Sequence, residues 1–223
     1  MTPLEIRPYR SSDRTAVAEV CVRTAAAGTD ARGLYSDDSL MAEVYALPYV
    51  EHSPELAFMV VEHVDAPTAD PLAVDDGRLL GYVVGVPDTR AFVAWWEQEW
   101  TPGFVQRHPE PGPPTGAEPG YSEAALLHDG ADPQRMLRSL DDEQLADFPA
   151  HLHIDLVPEA QGRGLGRRLV DTLRQALALQ GVPGVHLGYD PANSSARAFY
   201  DRLGFHELPT PQPHVRFLAI ATG

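Results

Sequence analysis

The chain has 223 residues, 43% hydrophobic and 22% charged, with one cysteine and a formal net charge of −15. That length and balance fit one sizeable domain and argue against disorder. The excess of acid argues against a general nucleic-acid binder, the single thiol allows no intrachain disulfide and suits a reducing cytoplasm, and no apolar run approaches the length of a membrane span. The first residues carry charges where a secretory signal would be apolar, so no signal is expected. All 17 basic residues are arginine, a composition that points to a GC-rich bacterial genome. An acidic surface raises the local concentration of cationic amines, and it also simply keeps a chain in solution.

LEIRPYR (4–10) alternates and predicts a strand. SSD (11–13) supplies helix caps for RTAVAEVCVRTAAA, which Gly28 can end. A second helix is expected over 38–47, stopped before Pro48. ELAFMVVEHV (55–64) and RLLGYVVGVP (78–87) read as buried strands, with Gly81 and Gly85 marking bulges or close approach. The turn-rich stretch between these strands predicts an elongated hairpin. DTRAFVAWWEQEW (88–100) fits a helix, and 101–121 is the richest Pro/Gly stretch, long for a compact domain. Short helices are expected from 122 to 148. HLHIDLV (151–157) is a strand, followed by a glycine turn and a helix to about Gln180. VPGVHLGYD (182–190) is a strand, NSSARAFYDRLGF (193–205) a helix from an Asn cap, and HVRFLAIA (214–221) a last strand. Alternating elements predict an α/β class with a mixed sheet, as one domain over 1–223 with an insertion at about 101–149.

The chemistry concentrates in PEAQGRGLGRR (158–168). A strand, a glycine turn rich in N–H groups and a helix N-terminus together make an anion cradle, and phosphate is the usual occupant. The side chains of Arg163, Arg167 and Arg168 add charge. A Walker loop needs a lysine that the chain lacks, and the spacing is not that of a dinucleotide fingerprint.

Gln161-Gly162-Arg163-Gly164-Leu165-Gly166 resembles the Q/R-x-x-G-x-G/A signature of the GCN5-related N-acetyltransferases, the GNAT superfamily. Asn193, Ala196, Phe199, Tyr200, Leu203, Gly204 and Phe205 resemble that superfamily's N-x-x-A-x-x-F-Y-x-x-x-G-F helix, and both motifs stand in the right order within 151–206. The segments IRPYR, LAFMVVE, GYVVGVPDTRAFV and FPAHLHIDL also resemble the acetyltransferase-like C-terminal domain of eukaryotic O-GlcNAcases. The glycine signature is degraded there and intact here.

The resemblance implies a GNAT fold, a mixed sheet splayed between the two parallel strands that hold acetyl-CoA. It implies an N-acetyltransferase acting on a primary amine of a protein, a peptide or a small molecule, and the single cysteine sets the expectation that it is cytoplasmic. The alternative is a catalytically inactive chain that binds acetyl-CoA or docks a protein. By the resemblance, Leu156 and Val157 pair with the pantetheine, Gln161 and the amides of Gly162, Arg163, Gly164, Leu165, Gly166 and Arg167 hold the pyrophosphate, and Asn193 and Tyr200 face the pantetheine and thioester. Tyr200 is the expected acid, or a ring packed on the cofactor. Asp155 is the expected base, or a carboxylate that caps a loop or pairs an arginine. His153 has a suited ordinary pKa but sits further from the splay, and Asp190 is a second candidate or simply a turn. Trp95 and Asp88 are candidates for contact with a cationic acceptor, with core packing as the alternative for the tryptophans. No Cys/His cluster predicts a metal site, and the oligomeric state is left open.

Overall fold

One eight-stranded mixed sheet runs through the computed structural model, which describes residues 3–26, 28–64, 69–109, 122–191, 193–211 and 216–223. The strands are β1 (Leu4–Pro8), β2 (Ala57–Glu62), β3 (Ala73–Val74), β4 (Gly77–Val86), β5 (Ala150–Leu156), β6 (Gly184–Tyr189), β7 (His206–Leu208) and β8 (Arg216–Ala221). Their order is β1-β2-β4-β5-β6-β8-β7, with β3 beside β4. Every pairing is antiparallel except β5 with β6.

Period-two alternation sends the two sets of β5 side chains to opposite layers. Leu152, Ile154 and Leu156 face α8 (Leu165–Leu179), whose Leu165, Leu169, Val170, Leu173 and Leu177 are buried along one stripe. His151, His153 and Asp155 face the layer of α1 (Arg14–Thr24), α2 (Leu40–Tyr45) and α3 (Leu47–His52). Burial of these two apolar layers is the main stabilising term of the fold. Gly81 sits opposite the β-bulge at Val60/Val61. A Cβ at Gly81 would lie 2.6 Å from the Asp155 carbonyl, so the expected close approach is met.

Two element boundaries differ from expectation. The helix expected to stop before Pro48 is followed at once by α3, in which Pro48 is the second residue. Proline is tolerated there because the first-turn N–H groups have no intrahelical partner. The Pro/Gly-rich stretch is helical as far as Arg107. α4 (Thr89–Trp95) passes through one π turn at 96–100 into α5 (Thr101–Arg107), and Pro102 occupies the first turn of α5. The π turn directs Trp96 and Trp100 into the core, where their indole N–H groups donate to the carbonyls of Gly130 and Glu43. Residues 110–121 lie outside the described residues. Beyond them come α6 (Glu123–Ala131), a 3₁₀ turn at Pro133–Met136 and α7 (Asp142–Asp147), where short helices were expected. The three-residue β7 was too short to read from its pattern. The chain closes with α9 (Ser194–Leu203) between β6 and β7.

Candidate functional site

β5 and β6 are joined at only two positions, Ala150↔Val185 and His151↔His186. Beyond these the strands part, and Leu187, Gly188 and Tyr189 of β6 pair with β8 alone. The Val157 N–H donates to the Leu80 carbonyl at 3.0 Å. In an antiparallel ladder that contact fixes the alternation. Odd-numbered residues of β5 turn their backbone groups to β4 and even-numbered ones toward β6; the Leu152 N–H is taken up by the His186 carbonyl at the last bridge, and Ile154 and Leu156 face the cleft. Val157 is therefore not a pairing residue for a ligand in the cleft, because its amide is committed to β4 and its side chain is fully buried. Leu156 turns its backbone toward the cleft, and its carbonyl accepts from the Gln161 side chain at 2.9 Å. Gln161 thus ties the glycine turn to the lip of the cleft.

The turn itself is shaped for an anion. Gly162 and Gly164 have φ of 71° and 74°, and no atom lies within 4 Å of where a Cβ would stand on either. Among the described residues, the successive amides of Gly162, Arg163, Gly164, Leu165, Gly166 and Arg167 donate to no protein acceptor. Four unpartnered N–H groups are the usual allotment of a helix start, and this loop extends the row to six. Leu165 contributes its amide only, since its side chain is in the core. The Arg167 guanidinium reaches the Arg202 carbonyl at 2.6 Å and so braces α8 against α9. Arg163 and Arg168 are exposed at the turn. Gly166 is a packing glycine, with the Phe199 ring 3.0 Å from a Cβ there. Uncommitted strand edges, the row of amides and open space over two glycines fit a long ligand carrying a pyrophosphate at one end, as acetyl-CoA does.

Asp155 lies on β5 with its side chain in the layer of α1, and its charge reaches Tyr200 on α9. Burial raises the Asp155 pKa above the ordinary carboxylate range, and hydrogen bonding from Tyr82 opposes the rise. The Tyr82 hydroxyl donates to Asp155 Oδ2 at 2.6 Å. Tyr200 is 8% exposed and lies against Phe199 and Phe205. Burial, and then the charge of Asp155, push its pKa up, so its hydroxyl keeps its proton. Sequence reasoning missed Tyr82. The available signal was a lone hydroxyl-bearing side chain within the apolar run LLGYVVGV.

The other candidates are placed differently. His153 packs between the rings of Tyr45 and Tyr49, and burial pushes its pKa down to about 3, too low for a useful base near neutrality. His151 is also neutral, its pKa held well down by burial. Thr89 donates to the Pro149 carbonyl and so accepts from His151 Nδ1, leaving Nε2 to accept from the Tyr49 hydroxyl. Asp88 lies at the far end of β4 and β5, where its carboxylate accepts from the Ala91 amide as the cap of α4. Trp95 stacks on Phe92 and meets His52 edge-on, away from Asp155. Asn193 caps α9, its side-chain oxygen accepting from the Ala196 amide and the Ser195 hydroxyl. That capping leaves only its NH₂ for a ligand. Asp190 is half-buried in the turn before this cap, and its carbonyl accepts from the Asn193 amide. No group of three or more His, Cys, Asp or Glu suited to a metal occurs among the described residues, and no helix there is long and apolar enough to cross a membrane.

Comparison with known proteins agrees with this geometry. Residues 136–207, which include both the glycine turn and α9, match the Acetyltransferase (GNAT) domain family. The chain is 35% identical over 144 residues to a mycothiol acetyltransferase of Paenarthrobacter aurescens (strain TC1), covering 54% of this chain and 44% of that protein. It thus spans less than half the length of this curated relative. The crystal structure of SsHAT superposes with a TM-score of 0.81 at 44% identity, over 99% of this chain and 98% of that one. The structure of yncA from Salmonella typhimurium, solved with its cofactor acetyl-CoA, shares the fold at a TM-score of 0.50 and 14% identity, over 99% and 94% of the two chains. With its splayed sheet, its intact glycine turn and these relatives, the chain belongs to the GNAT acetyltransferases, enzymes that use acetyl-CoA.

Proposed function

We propose that this enzyme transfers acetyl from acetyl-CoA to a primary amine, with Asp155 as general base and Tyr200 as general acid. The observation that carries the proposal is the row of glycine-turn amides without a protein acceptor, standing at the fork between β5 and β6. Bound acetyl-CoA supplies an activated thioester carbonyl. The remaining work falls to the protein. The amides of residues 162–167 hold a pyrophosphate, and Ile154 and Leu156 align an extended chain along the lip of β5. Backbone N–H groups at the fork are placed to stabilise negative charge on a carbonyl oxygen.

Asp155 draws a proton from the acceptor ammonium, directly or through one water, and its raised pKa makes it a stronger base than an exposed aspartate. Tyr200 keeps its proton and is positioned to give it to the departing sulfur. The net charge of −15 favours the approach of cationic acceptors. The resemblance to the O-GlcNAcase C-terminal domain favours an amine carried on a protein or peptide. The mycothiol acetyltransferase relative is the reason to test small molecules as well.

Calorimetric titration with acetyl-CoA and with free CoA tests the donor site. Micromolar binding is expected, and no binding at millimolar concentration would refute the cradle. Thiol release is then followed against polyamines, amino sugars, free peptide N-termini and lysine peptides. Acetylated product from any of these amines supports amine transfer, and release without acetylated amine would refute it.

A further inference from the structure

Asp155 enters the protein interior without a cation. The groups that face it are Cys21 and Thr24 from α1, Tyr82 from β4, His153 on its own strand and Tyr200 from α9. Among the described residues it forms no ion pair. Burial keeps the Cys21 thiol and the Tyr82 and Tyr200 hydroxyls protonated, and leaves the His153 ring neutral. An ionised carboxylate in such surroundings depends on the hydrogen bonds it receives.

Of the two hydroxyls that approach it, Thr24 is within hydrogen-bonding distance of the Val20 and Cys21 carbonyls of its own helix, at 2.9 and 3.1 Å. Its one proton is shared with those acceptors. Apart from the Cys21 thiol, a weak acceptor, Tyr82 has no such competition. It is fully buried, it is the direct cross-strand neighbour of Asp155, and its hydroxyl donates at 2.6 Å with the Cys21 thiol against it. The bare Cα of Gly81 lets β4 lie close to β5 at this point.

We infer that Tyr82 is a positioning residue for the reaction, holding Asp155 in one rotamer with its carboxylate ionised and one oxygen left free for the acceptor. The inference rests on the assignment of Asp155 as the base. Removing the donor leaves burial unopposed, so the carboxylate takes up a proton at higher pH than before.

The test compares wild type, Tyr82→Phe and Asp155→Asn, using whichever amine the acceptor panel identifies. Each is followed by pH profiles of kcat/KM, by acetyl-CoA titration and by thermal melting. In Tyr82→Phe the acid limb is expected to move up by about one pH unit, with acetyl-CoA affinity within twofold of wild type and most of the rate recovered on the alkaline plateau. In Asp155→Asn the limb should vanish with the rate. Carboxyl-carbon NMR of Asp155 in wild type and Tyr82→Phe, without substrate, gives the same shift independently of turnover. An unmoved limb and an unmoved NMR titration in a folded Tyr82→Phe protein would overturn the inference while leaving Asp155 as base. Full activity and an intact limb in Asp155→Asn would remove the base assignment, and the inference with it. A uniform loss of rate at every pH, with a lowered melting temperature and an unshifted titration, would reduce Tyr82 to a packing residue.

Discussion

In the proposed reaction Asp155 and Tyr200 divide the proton work, and each makes its own prediction. Asp155→Asn keeps the shape and removes the base, so kcat should fall about 10²- to 10³-fold with acetyl-CoA affinity little changed. Rate assays with parallel calorimetry check this. Because the base acts only when ionised, and burial raises its pKa, activity should fall with decreasing pH along a limb set above the ordinary aspartate range. Tyr200→Phe keeps the ring contacts with Phe199 and Phe205, so a loss of about 10-fold or more in kcat with unchanged binding would mark a proton donor. An unchanged kcat would mark a ring that only packs. Both residues were candidates from the sequence, Asp155 from strand alternation and Tyr200 from the helix motif. Tyr82 was not, because a fully buried strand shows no alternation to single it out. The low pKa of His153 was not legible either, since it arises from burial among tyrosines brought in by α2 and α3.

At the scale of elements, the three glycines of the signature have different jobs. Gly164 holds a left-handed backbone with open space where a side chain would stand. Gly164→Ala should cost the free protein only about 1 kcal/mol, while acetyl-CoA affinity falls more than stability, because the new methyl occupies the cradle. Gly166→Ala meets the Phe199 ring, so it should lower the melting temperature and disturb α9 as well. Paired melting and titration curves separate the two outcomes. The glycine turn was readable because its conformation is local, dictated by residue type. The helix at 101–107 and the short α3 were not. Their prolines sit in first turns, and tertiary burial of Trp100, Phe104, Tyr49 and Val50 overrides the breaker signal. The parting of β5 from β6 was anticipated only through the family resemblance, since no residue pattern announces where a parallel pair stops.

For the molecule as a whole, buried histidines set the response to acid. His151, His153 and His186 are all held neutral by burial, His186 with a pKa of about 4 and His153 of about 3. In the unfolded chain they would titrate near 6.5. Between about pH 6.5 and 3 the unfolded state therefore binds more protons, so stability falls as the pH is lowered through that window. Urea melts at pH 7 and pH 5 should show the loss. His186→Asn should flatten the dependence, and a slope unchanged in that variant would place the acid sensitivity elsewhere.

The fork between β5 and β6 leaves a sheet with a third edge in its middle, beside the two at β1 and β7. Exposed strand edges recruit other strands, and this one lies between two halves joined by two residue pairs. Acetyl-CoA then serves as a seam as well as a donor. Amide hydrogens of Ile154 and Leu156 should exchange with solvent as loop amides do until the donor is bound, and slow together once it is, while that of Leu152, held by the His186 carbonyl, stays protected throughout. A cell that runs short of acetyl-CoA would hold this protein unzipped along its centre, open there to strand addition by a neighbouring copy.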